Sequence, residues 1–343
     1  MKLKTLAVVT AILLVLSILV FMNENKRGTD LIAGSDYIKG LDIGKLQKIE
    51  LSFSEGKKIT LTRDSDKYIL ENHKSYPAAT DKVNDLIFKI ASIQVKEKVA
   101  ASLTEEELTK YGLDEKKSQY RVELFDKEGK KAVSFRVGNS IKGKGNYLFK
   151  EGGKNEVYIS KESVWINSSY KDFIDTVLFD LKKDQIKSVQ LILDKPIKIE
   201  KKQDEFVVEG PEGTKFKKEK VDQFAESFSS IRFLDYFSYN DDTVRSITYD
   251  HDIKVKLLNN LVYQVSLAKK QDDYFVKLAA VAEDVPEKIM VKKDDGKKEL
   301  KKIEDIISAQ QKAQKINLEK GGWVYKVDKS VYDKLAVDIK FFL

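Results

Sequence analysis

Val83-Asn84-Asp85-Leu86-Ile87-Phe88-Lys89-Ile90-Ala91-Ser92-Ile93-Gln94-Val95-Lys96-Glu97-Lys98-Val99 changes its period partway along. Val83, Leu86, Ile87, Ile90 and Ile93 recur at the three- and four-residue spacing of a helix with one apolar face. From Ile93 to Val99 apolar and polar residues alternate, as on a half-buried strand. Such a helix needs a sheet to cover, and the residues before it supply one. Lys48 to Phe53 alternates, Ser54-Glu55-Gly56-Lys57 is turn-like, Lys58 to Thr62 alternates again, and a second hairpin passes through Asp64-Ser65-Asp66 into Tyr68-Ile69-Leu70. Thr80 or Asp81 is expected to cap the helix.

Further along, Thr104-Glu105-Glu106-Glu107 is a capping box for a short helix that stops at Tyr111-Gly112, with glycine suited to a left-handed conformation. Alternating runs at Tyr120–Phe125, Ala132–Val137 and Asn146–Phe149, joined by polar turns, precede Val157-Tyr158-Ile159. Strands joined by tight turns make antiparallel meanders, and the class is α+β.

The grammar then returns. Ile59 matches Ile197, Val83 matches Val221, Leu86 matches Phe224, Ile90 matches Phe228, Val95 matches Phe233 and Val99 matches Phe237, each 138 residues on. Smaller offsets pair Val122-Glu123-Leu124 with Val255-Lys256-Leu257, and Tyr147-Leu148-Phe149 with Tyr274-Phe275-Val276; Val157-Tyr158 then pairs with Val324-Tyr325. Two repeated antiparallel-sheet domains, each with one main packing helix, are expected at 41–175 and 176–343. An insertion at about 279–321 interrupts the second. It carries a polar helix, Lys297 to Ile316, with a narrow apolar stripe. Such a stripe ordinarily packs on its own domain. Because the first repeat lacks it, Ile303, Ile306, Ile307 and Ala313 are the candidate partner surface, and its removal is expected to leave both cores folded.

At the other end, Leu6 to Met22 is an unbroken apolar run, preceded by Lys2 and Lys4. As a helix it would be roughly 26 Å long, near the ~30 Å hydrocarbon core of a bilayer. Its exit, Val20-Phe21-Met22-Asn23-Glu24, lacks the small residues of a peptidase site. The run therefore reads as a single-pass anchor (5–23) contacting membrane lipid, after a cytoplasmic tail (1–4) and before a linker (24–40); a cleaved signal peptide is the alternative. The lysines place the tail inside and the bulk of the chain on the extracytoplasmic side of the cytoplasmic (inner) membrane.

Composition narrows the chemistry. The 343 residues contain no cysteine, which removes disulfides, thiol nucleophiles and thiolate metal sites. The net charge of +7 is carried almost wholly by lysine, and scarce arginine argues against nucleic-acid recognition. His73 lies in a polar stretch, and His251, between Asp250 and Asp252, reads as a surface turn because neighbours on an extended chain point to opposite faces. Ser54-x-x-Lys57 lacks the companion motifs of an acylating serine, Gly143-x-Gly145 reads as a turn, and Asp241-Asp242, Asp272-Asp273 and Asp294-Asp295 lack calcium-loop spacing. Asp241-Asp242 suits a helix cap, and Trp165 and Trp323 are expected to pack at strands or strand ends. No catalytic constellation, cofactor site, metal site or small-molecule substrate emerges.

Tyr76-Pro77-Ala78-Ala79-Thr80-Asp81-Lys82-Val83-Asn84-Asp85-Leu86, with Tyr111-Gly112-Leu113, Val137-Gly138, Tyr147 and Val157-Tyr158, resembles the domain-of-unknown-function family 4340. The likeness extends over most of the chain after residue 40 and includes a helical link at Phe173–Leu181; the second repeat departs, with Ile247-Thr248-Tyr249 in place of Tyr-Gly-Leu. Members carry an N-terminal anchor and an exported repeat, and are often encoded beside gliding-type ABC transporter subunits. The resemblance implies a non-enzymatic envelope accessory protein that binds partner proteins, ABC transporter-type membrane subunits among them. A cell-wall-acting hydrolase or transferase, or a polysaccharide-binding module, is the alternative.

Overall fold

The computed structural model describes residues 33–54, 56–203, 205–286 and 296–343. The expected anchor at Leu6–Met22 lies outside them; among the described residues no helix is long and apolar enough to cross a membrane. The chain divides into two compact units between Phe173 and Ile174. Among the described residues each unit holds one antiparallel nine-stranded sheet, and five α-helices accompany the two sheets, so the class is α+β.

In the first unit the strands are β1 (Leu46–Phe53), β2 (Lys58–Asp64), β3 (Lys67–Leu70), β4 (Tyr76–Pro77), β5 (Val95–Ala100), β6 (Tyr120–Asp126), β7 (Lys131–Ser140), β8 (Asn146–Lys150) and β9 (Val157–Ser160). Helix α1 (Thr80–Ala91) buries Val83, Leu86, Ile87 and Ile90, and α2 (Glu105–Leu108) follows β5. The second unit contains β10 (Val177–Phe179), β11 (Ile186–Ile192), β12 (Ile197–Lys202), β13 (Glu205–Glu209), α3 (Lys218–Glu226), β14 (Ile231–Ser238), β15 (His251–Leu257), β16 (Leu261–Lys270), β17 (Asp273–Ala282), α4 (Lys297–Lys320), β18 (Trp323–Val327) and α5 (Lys329–Leu335).

The two sheets share one topology. The first runs β3-β2-β1-β6-β7-β8-β9-β5 and the second β13-β12-β11-β15-β16-β17-β18-β14, with β4 added at one edge of the first and β10 at the opposite edge of the second. Even the irregularities recur. A register shift falls between Leu46 and Lys48 in β1 and between Ile186 and Ser188 in β11; another lies between Val95 and Glu97, and between Phe233 and Asp235. Bulges bend strands at set places, so their recurrence ties the two sheets residue by residue.

That register amends the sequence pairing. Leu51 lies opposite Val122, and its counterpart Leu191 lies opposite Ile253, so Val122 corresponds to Ile253 and not to Val255. A slip of two residues leaves every side chain on its face, which alternation alone cannot detect. Leu148 faces Tyr158 as Val276 faces Tyr325, so Leu148 corresponds to Val276, one residue beyond the expected Phe275.

Other expectations are met or corrected locally. Thr104 and Glu107 form the expected capping box, and Gly112 takes φ 64°. Ala79, not Thr80 or Asp81, is the N-cap of α1; its side chain gives no capping bond, and its own N–H is drawn instead to the Phe173 carbonyl at 2.8 Å. The stretch Phe173–Leu181 is not helical: it leaves a 3-10 turn at Tyr170–Phe173 and forms β10. Residues 34–37, placed in the linker by sequence, join the edge of β5, with Gly34 N–H to the Val95 carbonyl at 2.7 Å and Tyr37 N–H to the Ile93 carbonyl at 2.7 Å. Tyr37 and Ile38 are buried.

Helix α4 runs to Lys320, four residues past its expected end, and packs on β17 and β16 of its own sheet. Ala309 and Ala313 are buried, which lets the helix backbone approach closely. Strand β18 pairs with β17 only from Tyr274 to Lys277, and Asn317 bonds both backbone groups of Ala280 beyond that point. The helix thus closes a strand edge that would otherwise stand open.

Candidate functional site

The motif residues of the first unit cluster at the end of its sheet. Gly138 on β7 permits the turn at Tyr111-Gly112-Leu113 to lie against the strand: a Cβ there would meet the Tyr111 carbonyl oxygen at 2.4 Å and Leu113 Cγ at 2.8 Å. Leu108, Leu113, Phe149 and Val157 form a core that Tyr111 and Tyr147 edge, their rings 5.0 Å apart. The second unit repeats the cluster as Val244, Ala268, Phe275 and Val324, edged by Ile247 and Tyr249. These residues pack; they do not present a reactive group.

Beside that core lies an ionic network. Arg136, its side chain 7% exposed, gives Nε to Glu151 at 2.6 Å, and Nη1 to Glu105 at 2.6 Å and to the Leu113 carbonyl at 3.0 Å. Arg121 and Ser134 also bind Glu151. Burial alone would push the Glu151 carboxyl up, but the hydrogen bonds from Ser134 and Arg136 and the nearby guanidinium charges outweigh it and hold the group below the usual carboxylate range. A carboxylate held ionised between two arginines suits a clamp better than a general acid.

Most sequence candidates take structural places. His73 sits in the turn after β3 and stacks on Tyr170 with ring centroids 4.1 Å apart; burial lowers its pKa. His251 opens β15 and does not lie in a turn. Its Nδ1 is 3.1 Å from Asp250, whereas Asp252 accepts from Ser266, so the two carboxylates diverge as expected. Tyr332 donates to the second Asp250 oxygen at 3.0 Å. Ser54 and Lys57 close the β1–β2 turn, and Gly143 takes φ 70° in the turn before β8. Asp241 organises a turn, accepting from Thr243 N–H at 3.0 Å, and heads no helix. Asp294 and Asp295 lie outside the described residues. Among the described residues, no group of three His, Asp or Glu side chains could hold a metal ion. Of the candidate partner surface, Ala313 is buried against the chain's own sheet, Ile303 and Ile306 are half-buried, and Ile307 is exposed.

One feature was missed from sequence. Trp165, expected at a strand, lies outside any strand in the segment after β9 and is 67% exposed. It walls a groove of about 460 Å³ between that segment and α1. Lys82, Asp85, Leu86 and Lys89 line the groove from the helix, with Asn167 and Asp172 opposite. Lys89 Nζ donates to the Trp165 carbonyl at 3.1 Å and ties the two walls together. Phe88, between the lining positions of the helix, is 73% exposed. An indole and a phenyl ring thus stand exposed on the surface of one unit, the indole beside lysines and aspartates of balanced charge. The signal available in sequence was Phe88, which breaks the polar face of an otherwise regular amphipathic helix.

The family model for a domain of unknown function, DUF4340, matches residues 69–250, from β3 of the first unit to the segment before β15 of the second. That is just over half of the chain, and less than the sequence likeness suggested. No curated protein and no solved structure matches. The chain belongs to the DUF4340 family.

Proposed function

We propose that this chain is a non-enzymatic envelope accessory protein, a tandem duplication of one α+β domain held by Leu6–Met22 at the outer face of the cytoplasmic membrane, where it binds partner proteins. The observation that carries the binding reading is the groove beside the exposed Trp165, because large aromatic side chains left on a surface mark interaction sites more often than catalytic ones. The shared strand order supports the duplication. The anchor rests on the apolar run and its lysine flank, and a gliding-type ABC transporter system as partner rests on what the family resemblance implies.

The test is topology together with activity. Protease added to intact spheroplasts should digest the large C-terminal part, and the mature protein should still begin at Met1. The purified full chain should show no turnover of cell-wall fragments. Turnover that disappears on His251→Ala would instead support the wall-acting enzyme, with the Asp250–His251 pair as its base. A soluble form beginning near residue 23 would replace the anchor with a signal peptide.

A further inference from the structure

One cross-strand row of the sheet is acidic in the first unit and basic in the second. In the first unit it runs through Thr60, Glu50, Glu123 and Ser134 on β2, β1, β6 and β7. Glu151, just past β8, donates its N–H to the Ser134 carbonyl at 3.0 Å and ends the row. Flanking cations hold all three carboxylates. Lys48 and Lys58 bind Glu50 at 2.9 and 2.8 Å, Arg121 and Lys131 bind Glu123, and Arg121 and Arg136 bind Glu151. The row is neutralised within the unit.

The register places Lys198, Gln190, Lys254, Gln264 and Ala279 in that row of the second unit, on β12, β11, β15, β16 and β17. Gln190 stands for Glu50, Lys254 for Glu123, Gln264 for Ser134 and Ala279 for Glu151. The flanking cations are replaced as well: Asp252 stands for Arg121 and Ser266 for Arg136, and these two bond to each other. Lys198 is paired with Glu200 and Glu209. Among the described residues, the side chains of Gln190, Lys254 and Gln264 have no hydrogen-bond or ion-pair partner. Gln190 is exposed, and Lys254 and Gln264 are half-buried. A cation between two amides, at the ~4.8 Å spacing of neighbouring strands, offers a carboxylate site with hydroxyl sites on either side.

We infer that this row of the second unit binds an extended acidic glycan, with Lys254 on a uronate carboxylate and Gln190 and Gln264 on flanking hydroxyl groups. The ligand supplies the negative charge that Glu50, Glu123 and Glu151 supply in the first unit. An extended acidic peptide is ordinarily held at an open strand edge, whereas β11, β15 and β16 are each paired on both sides. The row shares no residue with the Trp165 groove, so glycan binding and partner binding stand or fall separately.

The test is calorimetric titration of the full chain in detergent with hexagalacturonate. Binding should be saturable and should weaken as salt is added. Lys254→Gln should weaken it by about tenfold or more, because a charge-assisted hydrogen bond is lost, and Lys254→Glu should abolish it. Lys312→Gln, which removes the same charge from α4, should leave it unchanged. Melting temperatures of the variants confirm that each is folded. No saturable binding, equal binding of neutral chitohexaose, equal binding of hexaglutamate, or equal losses with Lys254→Gln and Lys312→Gln would overturn the assignment.

Discussion

Asn317 holds Ala280 by both backbone groups: its Oδ1 accepts from the Ala280 N–H at 2.8 Å, and its Nδ2 donates to the Ala280 carbonyl at 2.7 Å. A side-chain amide thereby takes the place of a neighbouring strand where β18 has ended. Asn317→Leu leaves both groups without their partner and should destabilise the second unit by about 2 kcal/mol, read as a lower denaturant midpoint. Removal of residues 287–320 would also uncover the β17 edge that α4 packs against. The deletion should therefore unfold or aggregate the second unit, contrary to the expectation from sequence that the insertion is dispensable.

The Arg136–Glu151 pair should make the first unit acid-sensitive. Glu151 has its pKa lowered in the fold, so its contribution is complete above the ordinary carboxylate pKa of the unfolded chain and is lost as pH falls through the lower folded value. Glu151→Ala should cost about 3 kcal/mol at neutral pH, because two guanidinium groups lose their partner. The gap in melting temperature between the two proteins should narrow as pH falls toward 3, and a gap independent of pH would refute the assignment.

Gly138 and Ala268 occupy matching positions on β7 and β16, and opposite substitutions should each be costly. Gly138→Ala drives a methyl group into the Tyr111 carbonyl and should destabilise the first unit by about 1–3 kcal/mol. Ala268 is fully buried at the corresponding position, and Ala268→Gly should cost about 1 kcal/mol, from lost packing and added chain freedom. Urea titrations of the two variants check the correspondence.

Leu86→Asp and Phe224→Asp each bury a carboxylate on the core face of the main helix. Each should cost several kcal/mol and unfold its own unit. Limited proteolysis would show which unit opens in each variant.

How far the sequence could be read follows from what each signal encodes. The change of period at Ile93 located α1 and β5, and its echo at Ile231 located α3 and β14, since burial on one face is written directly into residue order. Register was less accessible: Val122 can slide by two residues against the second unit without changing face, so only hydrogen bonding decides it. The end of α4 was missed because Asn317 and Lys320 look like solvent residues in sequence but bond to Ala280 and Val177. Trp165 was misjudged for a related reason. An indole is largely buried on average, and only tertiary structure reveals that the segment after β9 carries this one outward. The groove was beyond reach for the same reason, because its two walls, α1 and the segment after β9, are brought together only by the fold.

The most direct test of partner binding at an outer membrane face is quantitative isolation of the full chain from native membranes in mild detergent, unsubstituted and as Trp165→Ala. A membrane-protein partner is expected in fixed stoichiometry with the unsubstituted chain, reduced by about tenfold or more when Trp165 is replaced while the melting temperature is unchanged. A chain that comes off the membrane alone, or one whose partner is retained in full without Trp165, would contradict it.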